Sequence, residues 1–246
     1  MASPEDAPPP REARYVLART LIARERPGDV VGVVGAVQGL CQALTTHLDV
    51  LGAAVNLTSG RGPAGVIAAS DDRCRQLDEL QFSAGEGPCY DSVLWGRPVL
   101  TPDLPAVGTG HWPGYAAGAV AAGVTGVFAF PLQVGAICLG VLDVYAARPG
   151  SLTDEGLLMT LTFARIATEI LLDGDLVEGG DLAPGLGAAL DYRAEIYQAQ
   201  GMIMVARNVG AVEALARMRA HAFALNQPLL ALALEIVGGR QRLEDE

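Results

Sequence analysis

The chain has 246 residues, a length that fits one large domain or two small ones. Half of the residues are hydrophobic, so the chain can bury a substantial core, and global disorder is excluded. The net charge of −11 excludes the bulk basic field of a histone-like nucleic-acid binder. All 17 basic residues are Arg, which excludes chemistry that needs a lysine ammonium, such as a P-loop or a Schiff base.

The four cysteines are widely spaced and form no CxxC pair, so we expect reduced thiols and a cytoplasmic protein. Residues 1–11 are rich in Pro and Ala and have no apolar segment, which predicts a disordered tail and not a signal peptide. Residues 104–142 contain no charged side chain, but proline and glycine interrupt them before a membrane-spanning length is reached. Buried strands explain this segment better, and no membrane partner is expected.

In chain order, the hydrophobic patterns of the first 175 residues predict alternating helices and strands. Strands at 126–132 and 137–145 have the strongest signal, and their short connection predicts an antiparallel hairpin. We expect a loop at 103–113. The other predicted elements are helices at 14–26, 30–48, 71–81, 88–96, 114–122 and 153–172, and strands at 50–58, 65–70 and 98–102.

The helix at 153–172 has two apolar stripes. One stripe includes Leu157, Leu161 and Leu171, and the other includes Phe163 and Ile166. A helix with two such faces can pack on its own sheet and on a second surface, so we expect the Phe163 stripe to form a dimer or interdomain seam. The alternative is a helix buried within one domain.

After residue 173 the sequence becomes rich in Gly and Asp, which marks a domain boundary. Everything beyond it is helical, with helices predicted at 191–207, 211–225 and 229–237. The fold class is therefore α+β, with an antiparallel-sheet domain followed by a small three-helix bundle. The predicted boundaries are a tail at 1–11, a domain at 12–175, a linker at 176–187 and the bundle at 188–240.

The sequence has no HExxH or GxSxG motif and no GxGxxG that links a strand to a helix, and its three histidines lack metal-ligand spacing. Nothing in it points to a Ser-His-Asp triad, so no catalytic residue, metal or cofactor is predicted. Cys89 follows Pro88 at a helix start, where the helix dipole favours thiolate. It is either a reactive or ligand-contacting thiol or a small packing residue. Asp143 is a lone acid within a strand pattern, and is either a ligand contact or a residue at an exposed face or strand end.

The C-terminal bundle has six Arg and seven acidic residues, so its bulk charge gives no support for nucleic-acid binding. Local clustering does, because Arg217 and Arg219 share a short helix with His221. The alternative is a solvated face on which Glu213 pairs with Arg217 across one helical turn. From the residues alone, the two interpretations have equal weight.

The bundle sequence resembles the ANTAR domain, on three segments: Ala199-Gln200-Gly201-Met202, then 214–219, then Pro228-Leu229. The first 175 residues resemble a GAF domain of the kind that precedes ANTAR. That resemblance rests on Glu86-Gly87-Pro88-Cys89, on PVLTPDL at 98–104, on Trp112-Pro113 and on the 131–140 hairpin. Together the two resemblances cover nearly the whole chain.

The ANTAR resemblance implies a homodimeric transcription antiterminator that binds paired stem-loops in leader RNA. Splayed loop bases can be bound by stacking and a few hydrogen bonds, which needs less net charge than duplex binding. The GAF part would sense a signal or hold the dimer, and Cys89 and Asp143 are the candidate contacts for an unidentified small molecule in its pocket. The implied RNA-binding residues are Gln198, Ala199, Gln200, Gly201, Arg207, Arg217, Arg219 and His221.

Two departures from the family pattern matter, because Gln200 and Gln227 stand where many relatives have Lys and Arg. They support an alternative function, a ligand or redox sensor whose bundle has lost RNA binding and mediates only contacts. A third hypothesis is a GAF-fold thiol reductase acting on free methionine sulfoxide. The placement of the four cysteines on separate elements argues against it.

Overall fold

The structure is a computed structural model that describes residues 9–30, 32–59, 62–148, 152–174, 177–178, 181–182 and 193–241. Within these residues an N-terminal α+β unit is followed by a helical bundle. The predicted tail lies largely outside the described residues, and the first helix begins at Arg11.

The N-terminal unit contains helices on both sides of one sheet. Its helices are α1 (Arg11–Glu25), α2 (Gly32–His47), α3 (Asp72–Ala84), α4 (Pro88–Trp95), α5 (Leu104–His111), α6 (Pro113–Ala121) and α7 (Asp154–Asp173). Its strands are β1 (Gly52–Ser59), β2 (Gly62–Ala69), β3 (Val99–Thr101), β4 (Gly126–Val134) and β5 (Ile137–Ala146).

The sheet has the strand order β2-β1-β5-β4-β3, and every pairing is antiparallel. The strands alternate between two apolar cores, because successive side chains of a strand point to opposite faces. Phe128 and Leu142 belong to the core under α1, α2 and α7, whereas Ala129 and Tyr145 belong to the core under α3 to α6. The predicted 126–145 hairpin is confirmed, and β5 lies at the centre of the sheet.

The loop prediction at 103–113 was wrong, because these residues form α5. The side chain of Asp103 caps the helix, with Oδ1 accepting from the backbone N of Ala106 at 3.1 Å. Pro105 occupies the first turn, where its missing N–H costs nothing. The helix is short and contains two glycines, so its hydrophobic pattern repeats too few times to be recognised from the sequence.

The seam prediction for α7 was also wrong. Phe163 and Ile166 are fully buried in the core that α7 shares with the sheet and α2. The Phe163 stripe therefore packs within one unit, as the alternative held. The exposed apolar side chains of α7 are instead Leu161, which is 41% exposed, and Leu172.

The C-terminal bundle consists of α8 (Ala194–Arg207), α9 (Ala211–Ala224) and α10 (Leu229–Val237). Asn208 and Asn226 adopt left-handed conformations at the two breaks between these helices. The bundle core contains Ile203, Met218 and Leu232, together with Phe82 of α3. The bundle therefore shares its core with the N-terminal unit.

Between α7 and the bundle, a two-residue strand pair joins Val177–Glu178 to Asp181–Leu182. The rest of the predicted linker lies outside the described residues. In the described part of the chain, no helix taken singly has both the length and the apolar character to span a membrane. The bent pair α9–α10 passes that test when the two helices are taken together.

We expect Phe163→Ala to lower the free energy of unfolding by about 3–5 kcal/mol, because it opens a cavity in a close-packed core. Leu161→Ala, two residues away and on the exposed side of the helix, should cost less than about 1 kcal/mol. Urea denaturation of both variants measures the difference. Equal losses would contradict the placement of the Phe163 stripe in the core.

Candidate ligand site and nucleic-acid interface

Asp143 lies in the middle of β5, opposite Ala54 on one neighbouring strand and Ala129 on the other. Its side chain is fully buried on the sheet face that α3 to α6 cover. The expectation of an exposed face or a strand end was therefore wrong. A carboxyl at this position has to find polar partners inside the domain.

Polar side chains from α3, β1 and β5 itself surround this carboxyl. Asn56 Nδ2 donates to Asp143 Oδ2 at 3.3 Å. Tyr145 OH donates to Oδ1 of Asp78 at 2.8 Å, and Gln81 Nε2 donates to the same atom at 3.2 Å. We call these five buried residues, Asn56, Asp78, Gln81, Asp143 and Tyr145, the polar core cluster.

Asp78 was missed by the sequence analysis, which predicted only a helix at 71–81. The available signal was its helical spacing, since Cys74, Leu77, Asp78 and Gln81 recur on one face and all four are buried. Hydrophobicity alone does not identify that face, because two of its four members are polar.

Several buried polar atoms near the cluster have no hydrogen-bond partner in the described structure. Within the cluster these are Asn56 Oδ1, Asp78 Oδ2 and Asp143 Oδ1. Ser92 Oγ and Tyr115 OH, on the same side of the sheet, also lack partners. Nearly all buried polar atoms in proteins are hydrogen-bonded, so this concentration is unusual.

The two carboxyls of the cluster perturb each other. Burial raises the pKa of Asp78 to about 6, while hydrogen bonds from its neighbours oppose the rise. Burial, and then the negative charge of Asp78, raise the pKa of Asp143 well above its usual range. Two such buried carboxyls do not both ionise readily, so the pair tends to keep a proton near neutral pH.

Cys89 begins α4 beside this cluster. Its backbone N donates to Gln81 Oε1 at 2.9 Å, and its thiol is in hydrogen-bonding contact with the Asp143 carboxyl. Burial raises the pKa of the Cys89 thiol well above its usual value, so the expectation of a stabilised thiolate was wrong. Desolvation outweighs the helix dipole here. The structure nevertheless brings together the two ligand candidates chosen from the sequence.

The RNA-binding candidates on α8 have different environments. Gln198 is exposed, whereas Ala199 is fully buried in the bundle core and offers no surface for contact. Gln200 Nε2 donates to the carbonyl of Ala211 at 2.6 Å, which ties α8 to the start of α9. Gly201 and Arg207 are half-buried.

On α9, Arg217 Nη2 pairs with Glu213 Oε1 at 2.9 Å, the one-turn pair that the sequence allowed. The side chain of His221 lies 3.0 Å from Nε2 of Gln241. Phe223, which the sequence analysis did not single out, is 80% exposed. An aromatic ring so exposed on a helix beside polar residues is a platform on which a nucleic-acid base can stack.

Arg219 lies against the N-terminal unit instead of facing solvent. Its Nε donates to the carbonyl of Phe82 at 3.0 Å, and its Nη2 donates to Tyr90 OH at 2.8 Å. The guanidinium also lies over the rings of Phe82 and Tyr90. All of these groups belong to α3 and α4, so this candidate is engaged within the chain.

A second arginine anchors the bundle. Arg193 is fully buried, stacks 3.6 Å from the centroid of the Phe82 ring, and pairs with Glu79 at 2.9 Å. The Tyr197 hydroxyl donates to the carbonyl of Ala64 at 3.0 Å. We call the contacts of Arg193, Tyr197 and Arg219 with the N-terminal unit the docking contact. A cleft of about 940 Å³ opens beside it, between α3 and the α9–α10 turn.

The comparison with protein families identifies the bundle. Residues 185–237 match the family model described as the ANTAR domain, which confirms the ANTAR prediction. No curated protein matches the chain in sequence.

The N-terminal part resembles GAF domains of known structure. One is the GAF domain of an Acinetobacter phosphoenolpyruvate-protein phosphotransferase, with 10% identity, 65% of this chain and 93% of that chain covered, and a TM-score of 0.47. The phycoerythrobilin-bound GAF domain of a cyanobacterial phytochrome is 11% identical, with 69% of this chain and 98% of that chain covered and a TM-score of 0.47. Free methionine-R-sulfoxide reductase from Neisseria meningitidis is 15% identical, with 65% of this chain and 90% of that chain covered and a TM-score of 0.44. Similarity at this level says nothing about the ligand or activity of this chain.

We expect the stability of the wild type to fall as pH rises from about 4 through 6 and beyond. Burial raises the pKa of both cluster carboxyls, so the folded chain holds their protons more tightly than the unfolded chain does. Asp143→Asn should make this fall shallower, because it removes one buried carboxyl whose pKa is raised on folding. The measurement is urea denaturation from pH 4 to 8.

Asp72→Asn is the matched control, since Asp72 is an exposed acid on the same helix as Asp78. It should leave the pH profile unchanged. A profile of Asp143→Asn that superimposes on the wild type would contradict the raised pKa of the pair.

Proposed function

We propose that this chain is a transcription antitermination regulator that binds stem-loop leader RNA through its ANTAR bundle under the control of its GAF unit. The observation that carries the proposal is the match of residues 185–237 to the ANTAR domain, together with the three-helix bundle those residues contribute to. GAF and ANTAR domains are regulatory and sensory units. The homodimer that the resemblance implies is part of the proposal.

The bundle offers chemistry suited to RNA loops. Phe223 can stack on an unpaired base, and Gln198 lies exposed on α8 to hydrogen-bond base edges. Arg217 is half-exposed, and its pair with Glu213 is a surface ion pair, of the type that contributes little stability. An RNA phosphate can therefore compete for its guanidinium. With a net charge of −11 on the chain, such local contacts support loop binding better than duplex binding.

The docking contact supports a closed state in the proposed mechanism. While Arg219 bonds to Phe82 and Tyr90, its guanidinium is not available to a phosphate. RNA binding that uses Arg219 has to displace the bundle from α3 and α4. The docked arrangement is then the form of lower RNA affinity, and release of the bundle raises the affinity.

Helix α3 can link a signal to this release. Asp78 and Gln81 belong to the polar core cluster, whereas the residues that follow each of them, Glu79 and Phe82, contact the bundle. A shift of α3 that accommodates a ligand at the cluster would therefore disturb the docking contact directly.

The second candidate function is a ligand sensor whose bundle mediates only contacts. The neutral Gln200 and Gln227 favour it, and Gln200 already bonds to the backbone of Ala211. Its redox form is less favoured, because Cys41, Cys74 and Cys89 are buried. Absence of RNA binding by both the full chain and an undocked variant would support this function.

We expect the purified chain to bind a paired stem-loop RNA with micromolar or tighter affinity in fluorescence anisotropy. Binding should weaken with salt, because phosphate contacts release counterions. A loop-scrambled RNA is the control and should not bind. Equal affinity for both RNAs would contradict loop recognition.

We further expect Glu79→Gln to tighten RNA binding by about tenfold, because it weakens the ion pair that anchors Arg193 and so favours release. Glu155→Gln removes the same charge from an exposed position on α7 and is the matched control. Adding Arg219→Ala to Glu79→Gln should reverse the gain, since the released guanidinium is then absent. If both Glu variants behave alike, the gain comes from net charge and not from undocking.

A further inference from the structure

The polar core cluster has an uncompensated charge. Asp78 and Asp143 are both fully buried, and no ion pair among the described residues includes either of them. An isolated carboxylate is strongly unfavourable in an apolar interior, so the pair requires a proton or a cation. Gln81, Asn56, Tyr145 and the Cys89 thiol supply neutral donors only.

A shared proton does not satisfy the cluster. A proton between the two carboxyls supplies one O–H donor, which can join Asp78 Oδ2 to Asp143 Oδ1. It leaves Asn56 Oδ1 without a donor, and this amide already uses its Nδ2 on Asp143. Three unfilled acceptors in one fully buried cluster indicate a group with several N–H donors.

We propose that the polar core cluster binds a small molecule through a primary ammonium group. An ammonium brings three N–H donors, which equal the unfilled acceptors in number, and one positive charge, which offsets the charge of one of the two carboxyls. The buried hydroxyls of Ser92 and Tyr115 can donate or accept, and they are available to a polar substituent of the same molecule. This proposal rests on the proposed sensory role of the GAF unit and names the ligand class.

A metal ion fits the cluster less well. Calcium and magnesium take six or more oxygen ligands, whereas the cluster has three unfilled acceptors. Among the described residues, no group of three or more His, Cys, Asp or Glu side chains is placed to hold a metal. An anion is excluded by the two carboxyls themselves.

The experiment is a melting-temperature titration of the full chain with methylammonium chloride at pH 7.5. Because the cluster is fully buried, the smallest member of the class is the appropriate probe. The buffer is phosphate, since Tris is itself a primary amine. Tetramethylammonium chloride is the control, because it has the same charge but no N–H donor.

We expect methylammonium to raise Tm by roughly 5–10 °C at a hundredfold excess over Kd, and tetramethylammonium to leave Tm unchanged. The side-chain amide resonance of Asn56 should shift with the same Kd in ¹H–¹⁵N NMR spectra. Asp143→Asn should weaken methylammonium binding at least tenfold. It should not lower the Tm measured without methylammonium, because the substitution removes a buried charge. Asp72→Asn should respond as the wild type does.

Equal responses to the two ammonium ions would overturn the proposal, because they would reflect a general salt effect. It would also be overturned if methylammonium gave no response, since a shared proton alone would then satisfy the pair. Neither readout involves RNA. A specific methylammonium response without RNA binding therefore overturns only the proposed function, and RNA binding without that response overturns only the ligand class.

Discussion

The Arg193 guanidinium is removed from water completely, which is tolerable because Glu79 and the ring of Phe82 meet it on helix α3. A buried charge without a partner would be strongly unfavourable, so this contact determines where the bundle lies. Phe82 completes the bundle core while α3 itself packs on β1 and β2. The relation between the two units therefore depends chiefly on α3, with further contacts from Ala64 of β2 and Tyr90 of α4.

On the inner face of the same helix, a buried negative charge lacks a cationic partner among the described residues. Asp78 meets Asp143 where the described residues supply no cation, and desolvation raises the pKa of both carboxyls. Adjacent residues of α3 thus take part in a satisfied ion pair at the docking contact and in an unsatisfied acid pair in the core. Any event that adds a proton or a cation to the core acts on the helix that holds the bundle. This juxtaposition gives a physical basis for coupling a sensory domain to an RNA-binding one.

The docking contact also determines which of the RNA-binding candidates lie at the surface. Arg219 is the candidate most involved in contacts within the chain, and Ala199 is part of the bundle core. Phe223 and Arg217 stay at the surface of α9. In the proposed mechanism, Arg219 becomes available to RNA only after the docking contact is released.

The sequence by itself determined the α+β class, the 126–145 hairpin, the three bundle helices and the ANTAR assignment. Each of these depends on local periodicity or on a family pattern spread over consecutive residues. It also singled out Cys89 and Asp143, because a thiol at a helix start and an acid in an apolar strand are locally anomalous. Helix α5 escaped detection, since eight residues containing two glycines show too little periodicity.

Tertiary structure alone decided which groups those residues meet. Asp78 is 65 positions from Asp143, and Arg219 is 137 positions from Phe82, so no local pattern relates them. The thiol of Cys89 illustrates the physical reason: its helix position favours thiolate, but burial under the sheet raises its pKa instead. Desolvation and long-range pairing depend on what packs around a side chain, and that is determined only when the chain is folded.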